Sequence, residues 1–294
     1  MTETTPAPDN GIFEPLTALQ MFGVETGATL KIERTNLHFA ELQRSISAYM
    51  ATKPFRLTIE PDVANSAKHV RLRINQEVPS RLGAMVGDTI HNLRSALDIL
   101  ACDLARANGN GSLSAIRETY FPISANSELF EKGIRNPVSG EWHQAAKKKI
   151  RRLSAHHQQI ISSMKPYQGG NDDLWHLHQM DILDKHQLLV PVARRLITFT
   201  GPLGIQDTDD AGVYIYAPTR EIRDMVDGEI LATYPLNTAS SDCWADAGTI
   251  LSLGYGELAN EPLIPTLLRM GNAVVEVLGK LGFPVISKDA IMRR

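Results

Sequence analysis

RLGAMVGDTIHNLRSALDILACDLARA, Arg81–Ala107, is the stretch that decides the fold. At about a hundred degrees per residue, Val86, Ile90, Leu93, Leu97, Leu100 and Leu104 gather on one side of a helix, which predicts burial of that side. His91, Arg94, Ser95 and Asp98 gather roughly opposite. Ser80 is placed to cap the start, after Pro79 has ended whatever precedes it. The run NGNG at Asn108–Gly111 stops the helix.

Upstream, Ile32, Phe39, Leu42, Ile46 and Tyr49 recur at three-and-four spacing, which predicts an amphipathic helix over about Thr29–Tyr49. The period then changes to two. FRLTIE (Phe55–Glu60) and VRLRINQEV (Val70–Val78) alternate as half-buried strands do, with PDVANSA as the turn between them. Downstream, the pattern predicts a short helix over Ser127–Ile134 and a longer one over Trp142–Met164, striped by Ala146, Ile150, Leu153, Ile160 and Met164. A further helix is expected over Asp173–Leu189. Four strands are then expected at Leu196–Thr200, Gly212–Pro218, Glu229–Leu236 and Thr249–Gly256, and Pro262 opens a last helix that ends by Gly282.

A lone two-stranded hairpin is marginal in water. The economical solution joins residues 55–78 to the later strands in one antiparallel sheet of about six strands. The expected class is α+β: a helical bundle packed with an antiparallel β-sheet, closed by a C-terminal helix. Residues 1–15, rich in Thr, Pro and Glu, read as a disordered tail, and 28–284 as a single α+β domain. Within it, 28–190 is mainly helical with the hairpin at 55–78, 191–258 is mainly β, and 262–282 is helix.

A formal net charge of -3 over 294 residues gives no whole-molecule attraction to nucleic acid or to an anionic membrane, so such binding needs a local basic patch. Cys102 and Cys243 form neither a zinc spacing nor a disulfide framework, which suits a reducing compartment. The N-terminus lacks the cationic start and apolar run of a secretory signal. No stretch approaches the roughly 18 apolar residues of a membrane span. A cytoplasmic location without membrane contact is the expectation.

Chemistry concentrates on two helices. His91, Arg94 and Asp98 share a stripe, where His91 is the titratable group and Arg94 a candidate for binding an anion. The opposing view is a solvated outer face. On the second helix His178, Asp181 and Lys185 fall among Leu174, Leu177, Leu188 and Leu189, on its apolar side. Polar groups there need partners, which either a structural network or a site facing His91 and Arg94 would supply. Asp184 and His186 point elsewhere on the wheel. His178 and Asp181 have i, i+3 spacing, but no Glu-x-x-His pair accompanies them on these helices, and no metal ligand is assigned. The acidic loop Gln206–Gly212 fails as a calcium loop, with Pro218 where the bidentate Glu belongs. Phosphate loops, nucleophile elbows and dinucleotide fingerprints are absent from the sequence.

The run KKKIRR, Lys147–Arg152, presents Lys147, Lys148, Lys149, Arg151 and Arg152 with Ile150 and Leu153 facing inward. These five cations, with His157, are the candidate RNA-binding residues. A solvated face is the commoner meaning of such a run.

GDTIHNLRSALD (Gly87–Asp98), YFPI (Tyr120–Ile123), MKPYQGG (Met164–Gly170) and LWHLHQMDILDKHQLL (Leu174–Leu189) together resemble a widespread bacterial family of hypothetical proteins. That resemblance covers most of 28–190 and implies membership without an activity. A looser similarity is to HEPN proteins, helical bundles that include RNA-cleaving toxins and defence effectors. Their Arg, four to six residues, then His signature is matched by Arg151 with His156 or His157, and by Arg152 with His157. Arg152 or Leu153, rather than Asn, follows the Arg.

The first expectation is therefore a HEPN-like RNA-binding or RNA-cleaving effector, its acid–base groups at His156 or His157, or else among His91, Arg94 and His178. The second is a metal-dependent or small-molecule enzyme with a His/Asp pocket between helices, using His91, Asp98, His178 and Asp181. The third is a non-catalytic structural or interaction protein. No cofactor is named, RNA is the candidate partner, and homo-oligomerisation stays open.

Overall fold

The computed structural model describes residues 25–198, 220–243 and 248–283. They form an α+β protein of helices and antiparallel strands ending in a C-terminal helix. None of the described helices is long and apolar enough to cross a membrane. The expected tail at 1–15 and the expected strand at Gly212–Pro218 lie outside the described residues. The chain divides into two compact units, one from residues 25–42, 85–187 and 267–283, the other from 43–84, 188–198, 220–243 and 248–266.

The first unit is helical. Helix α1 (Gly27–Ala51) contributes its N-terminal part, and α2 (Arg81–Ala107) has the bounds its periodicity predicts. Val86, Ile90, Leu93, Leu97 and Leu100 are all fully buried. The two helices run antiparallel: Lys31 Nζ donates to Asn92 Oδ1 at 3.0 Å, and His38 stands 4.0 Å from Asp88. A Cβ on Gly27 would press on Ile99 at 2.9 Å, so the start of α1 sits close on α2. Short helices α3 (Leu113–Arg117) and α4 (Ser127–Glu131) are capped by Ser112 and Asn126, whose side chains accept from the amides of Ala115 and Leu129.

Helix α6 (Asp172–Asp184) is capped by Asn171 and ends at Lys185, several residues before the expected Leu189. It lies antiparallel to α2. Gly87 lets them approach, since a Cβ there would overlap the Asp184 carboxylate. Asp184 therefore faces α2, contrary to its expected place on the wheel. Helix α7 (Leu263–Lys280) reaches α6 through Arg269 Nε and Asp173 Oδ1, 3.4 Å apart.

The single helix expected over Trp142–Met164 is three elements. Strand β4 (Trp142–Gln144) pairs with β3 (Gly133–Arg135), a 3-10 turn covers Ala146–Ile150, and α5 covers Ala155–Ser163. Gln144 takes a left-handed φ of 58°, which breaks any helix there. Ser154 starts α5 by accepting from the His157 amide. Ile150 and Leu153 are nonetheless buried, so the inward face of the basic run is as expected. The unforeseen hairpin turns at Asn136, whose Oδ1 accepts from the amides of Val138 and Ser139.

The second unit holds the remaining strands. Strands β1 (Phe55–Asp62) and β2 (Ala67–Ile74) form the expected hairpin, but β2 is shifted from Val70–Val78. Its turn is only Val63–Ser66, closed by Ser66 N to Val63 O at 3.2 Å, with Ser66 in the left-handed region. Residues past Ile74 leave the ladder, and the Tyr49 hydroxyl donates to Gln76 O instead. The hairpin does join a later strand, β7 (Ile230–Pro235), across a bulge between Val70 and Arg71. The six-strand sheet, however, is two sheets among the described residues: β1-β2-β7, and a second in which β5 (Val192–Thr198) lies between β6 (Arg220–Asp224) and β8 (Gly248–Ser252). The β5 strand pairs with β6 and β8 and leaves none of its own edges for β1.

Gly87→Ala should lower unfolding stability by about 1–3 kcal/mol, because the added methyl must displace Asp184 from α2. Urea denaturation of the purified protein checks this.

Candidate functional site

The polar stripe of α2 faces α6, and the six expected site residues meet there. The centre is Asp181, whose side chain is only 3% exposed. A buried carboxylate needs neutralising partners. His91 Nδ1 lies 3.0 Å from Asp181 Oδ1, and Lys185 Nζ donates to Asp181 Oδ2 at 2.6 Å. His91 comes from α2 and Lys185 from the end of α6, so one acid ties two helices.

Burial is unequal across this group. His91 and Lys185 are 54% and 55% exposed, so the acid is inside and its two partners are outside. With Asp181 ionised, Nδ1 of His91 carries a hydrogen and donates it. In the neutral ring this leaves Nε2 with the lone pair, on the side away from Asp181. Ser95 Oγ stands 3.4 Å from Nε2, one turn along α2. Ser95 was legible as part of the stripe, but nothing in its spacing assigned it a partner.

Arg94 and Asp98 form a second pair. Arg94 Nη1 is 2.9 Å from Asp98 Oδ1, and Arg94 is buried. Both groups grip the backbone of Phe121: Arg94 Nη2 donates to Phe121 O, and Phe121 N donates to Asp98 Oδ1, each at 2.9 Å. This clamp fixes the YFPI segment against α2. Burial pushes the Asp98 carboxyl up, against the pull of Arg94 and of the Phe121 amide, and the charge of Asp181 adds to the rise.

His178, one turn before Asp181, has a buried Nδ1 without a hydrogen-bond partner and a ring 6.4 Å from that of Trp175. Burial, reinforced by the positive charges of Arg94 and Lys185, holds it down at about 4, despite the favourable charge of Asp181. His178 is thus a neutral ring at ordinary pH. Among the described residues no three His, Cys, Asp or Glu side chains are grouped so as to hold a metal ion.

The basic run is arranged differently from the two helices. Lys147 Nζ pairs with Glu131 Oε2 at 2.5 Å, and Arg151 and Arg152 share Glu118 Oε2 at 2.5 and 2.6 Å. These guanidiniums hold the Glu118 carboxyl below its ordinary range. Lys149 Nζ sits 4.4 Å over the Tyr120 ring, while Lys148 is exposed. His157 Nδ1 is 3.0 Å from Ser154 Oγ, and its ring lies 5.8 Å from that of His156. The Arg and His side chains of the spacing motif thus have separate partners.

The low His178 value sets a pH dependence. The unfolded chain binds a proton near the ordinary 6.5, whereas the folded ring resists until about 4. Stability should fall as pH drops through that window, by up to about 3 kcal/mol. Asp98 acts in the opposite sense, because its raised carboxyl takes up a proton earlier in the folded state than in the unfolded one. His178→Leu should leave stability near pH 7.5 little changed and flatten the acid limb. Thermal melts of both proteins across this range check it.

The geometry has no counterpart to lean on: the chain matches no family model, no curated protein and no solved structure.

Proposed function

We propose that the protein is a small-molecule enzyme in which His91 acts as the general acid–base, on an anionic substrate. One observation carries this reading: an exposed imidazole is oriented through Nδ1 by a buried carboxylate, leaving Nε2 outward. A ring held in one tautomer is prepared for proton transfer at its free nitrogen. Beside His91, Lys185 is an exposed cation and Ser95 a hydroxyl donor, while the Asp181 carboxylate is buried and Asp98 is held by Arg94; this favours an anion outside. Arg94 and Asp98 support the site by holding Phe121. His178 supplies a neutral polar wall beneath it.

RNA is the second reading. Transesterification of a phosphodiester also needs proton transfer at a positioned imidazole, and an ammonium such as that of Lys185 suits a phosphate. In this version the chemistry belongs to His91. Glu131 and Glu118 pair with Lys147, Arg151 and Arg152 and offset two of the run's five positive charges, so the run could attract a phosphate backbone without supplying the proton transfer.

A test compares turnover of p-nitrophenyl phosphate, bis-p-nitrophenyl phosphate and a single-stranded RNA oligonucleotide. His91→Ala should lose about a hundredfold or more on the substrate that is turned over, with an unchanged circular dichroism spectrum. Asp181→Asn should lower the rate and the stability together, since it removes the charge that both His91 and Lys185 meet. Ser95→Ala separates two roles: a loss as deep as that of His91→Ala marks a nucleophile, and a few-fold loss marks a hydrogen-bond partner. Activity retained in His91→Ala, or no turnover of any of the three, rejects the reading.

A further inference from the structure

Strand β1 is an edge of the β1-β2-β7 sheet. Its free side can be read from the ladder. Leu72 N donates to Glu229 O and Gly228 N to Leu72 O, while Ile74 N donates to Asp227 Oδ1. Leu72 and Ile74 therefore turn their amides away from β1, and Asn75 N to Pro54 O at 2.7 Å continues the alternation. Their register partners Leu57 and Phe55 occupy non-hydrogen-bonded pairs and turn their backbone groups to the open edge, as do Ile59 and Pro61. Among the described residues no hydrogen bond covers that edge.

The side chains on this strand are those of an interface. Leu57 and Ile59 are 40% and 38% exposed, and Leu57 borders an apolar hollow of about 300 Å³ with Met50, Phe55 and Leu72. The Arg56 side chain is exposed, has no ion pair among the described residues, and lies opposite Arg73 in the register. Like charges opposite one another on paired strands repel. An eight-residue edge without a lysine, unbulged against β2 and with Leu57 and Ile59 exposed, can serve as a template for another strand.

We propose that the occupant is β1 of a second copy, in an antiparallel pair whose two-fold axis passes through Thr58. The strand is self-complementary about that point. Leu57 meets Ile59 of the second copy, and Arg56 meets its Glu60. The residues with outward backbone groups are also the ones that become the hydrogen-bonded pairs: Leu57 and Ile59 exchange both bonds, and Phe55 N–H reaches the other Pro61 carbonyl. Pro61, which has no N–H to give, stands at the end of the ladder, where proline is tolerated. Glu60 already bridges Arg71 and Arg73 on its own strand pair, so it is held in place for the incoming guanidinium. Leu57 and Ile59 lose their exposure.

Two measurements on the full chain test this. Sedimentation equilibrium at tens of micromolar should give a dimer, and Arg56→Glu should raise its dissociation constant about tenfold or more by setting two acids face to face. Under mild oxidation Thr58→Cys should form a dimer disulfide, because the axial pair brings the two Cα atoms within about 4.5–5.5 Å. Arg56→Cys should not, its copies being roughly 14 Å apart. Wild type, with only Cys102 and Cys243, controls for other thiols. A monomer overturns the proposal, including one whose β1 edge is covered by another segment of the same chain. A dimer unaffected by Arg56→Glu, or one in which Thr58→Cys fails to cross-link, overturns it as well.

Discussion

The charge of Asp181 is the constraint on which the helical unit depends. A carboxylate held almost wholly out of water is unfavourable unless its charge is answered at short range. Here two cation-forming side chains answer it, one from each of two antiparallel helices. The requirement therefore sets the rotation of α2 and α6 about their axes as well as their spacing. Gly87 supplies the spacing, because any larger residue would hold Asp184 off. Aliphatic packing alone would tolerate small slips of one helix along the other. A buried acid whose His91 partner stands on the other helix does not.

The Arg94–Asp98 pair extends the same logic to irregular chain. Phe121 is fully buried, and its backbone amide and carbonyl cannot both reach water. The ion pair on α2 satisfies both, so a loop is anchored by side chains where a sheet would have used a neighbouring strand. His178 differs from these groups. Its Nδ1 has no partner, and the ring keeps its place by remaining uncharged. Three ways of burying polarity thus sit within one turn or two of each other: a bridged charge, a clamped ion pair and a neutral orphan.

Much of this was legible in the residues. The bounds of α2 followed from its leucine stripe and from Ser80 and Asn108–Gly111, and the place of Asp181 on the apolar side of α6 announced a partner. What periodicity could not show was which pairs form. Arg94 looked like an anion ligand because a wheel gives its direction but not the presence of Phe121, which is distant in sequence. The helix expected over Trp142–Met164 failed for a related reason. Its apolar spacing does describe an inward face, but a left-handed Gln144 and the Ser154 cap cut the backbone into pieces that keep Ile150 and Leu153 buried. The division of the strands into two sheets depends on which edges meet, and alternation within a strand says nothing about that.

The His91–Asp181 contact joins positions 90 apart in the chain. Closing so long a loop is entropically expensive, and it becomes favourable only once the intervening helices have begun to pack. On the ribosome, residue 91 emerges well before residue 181, and until both are free of the exit tunnel the acid stays hydrated and the imidazole can rotate. The dyad is thus completed only with the arrival of α6, which ties its assembly to the late stages of synthesis.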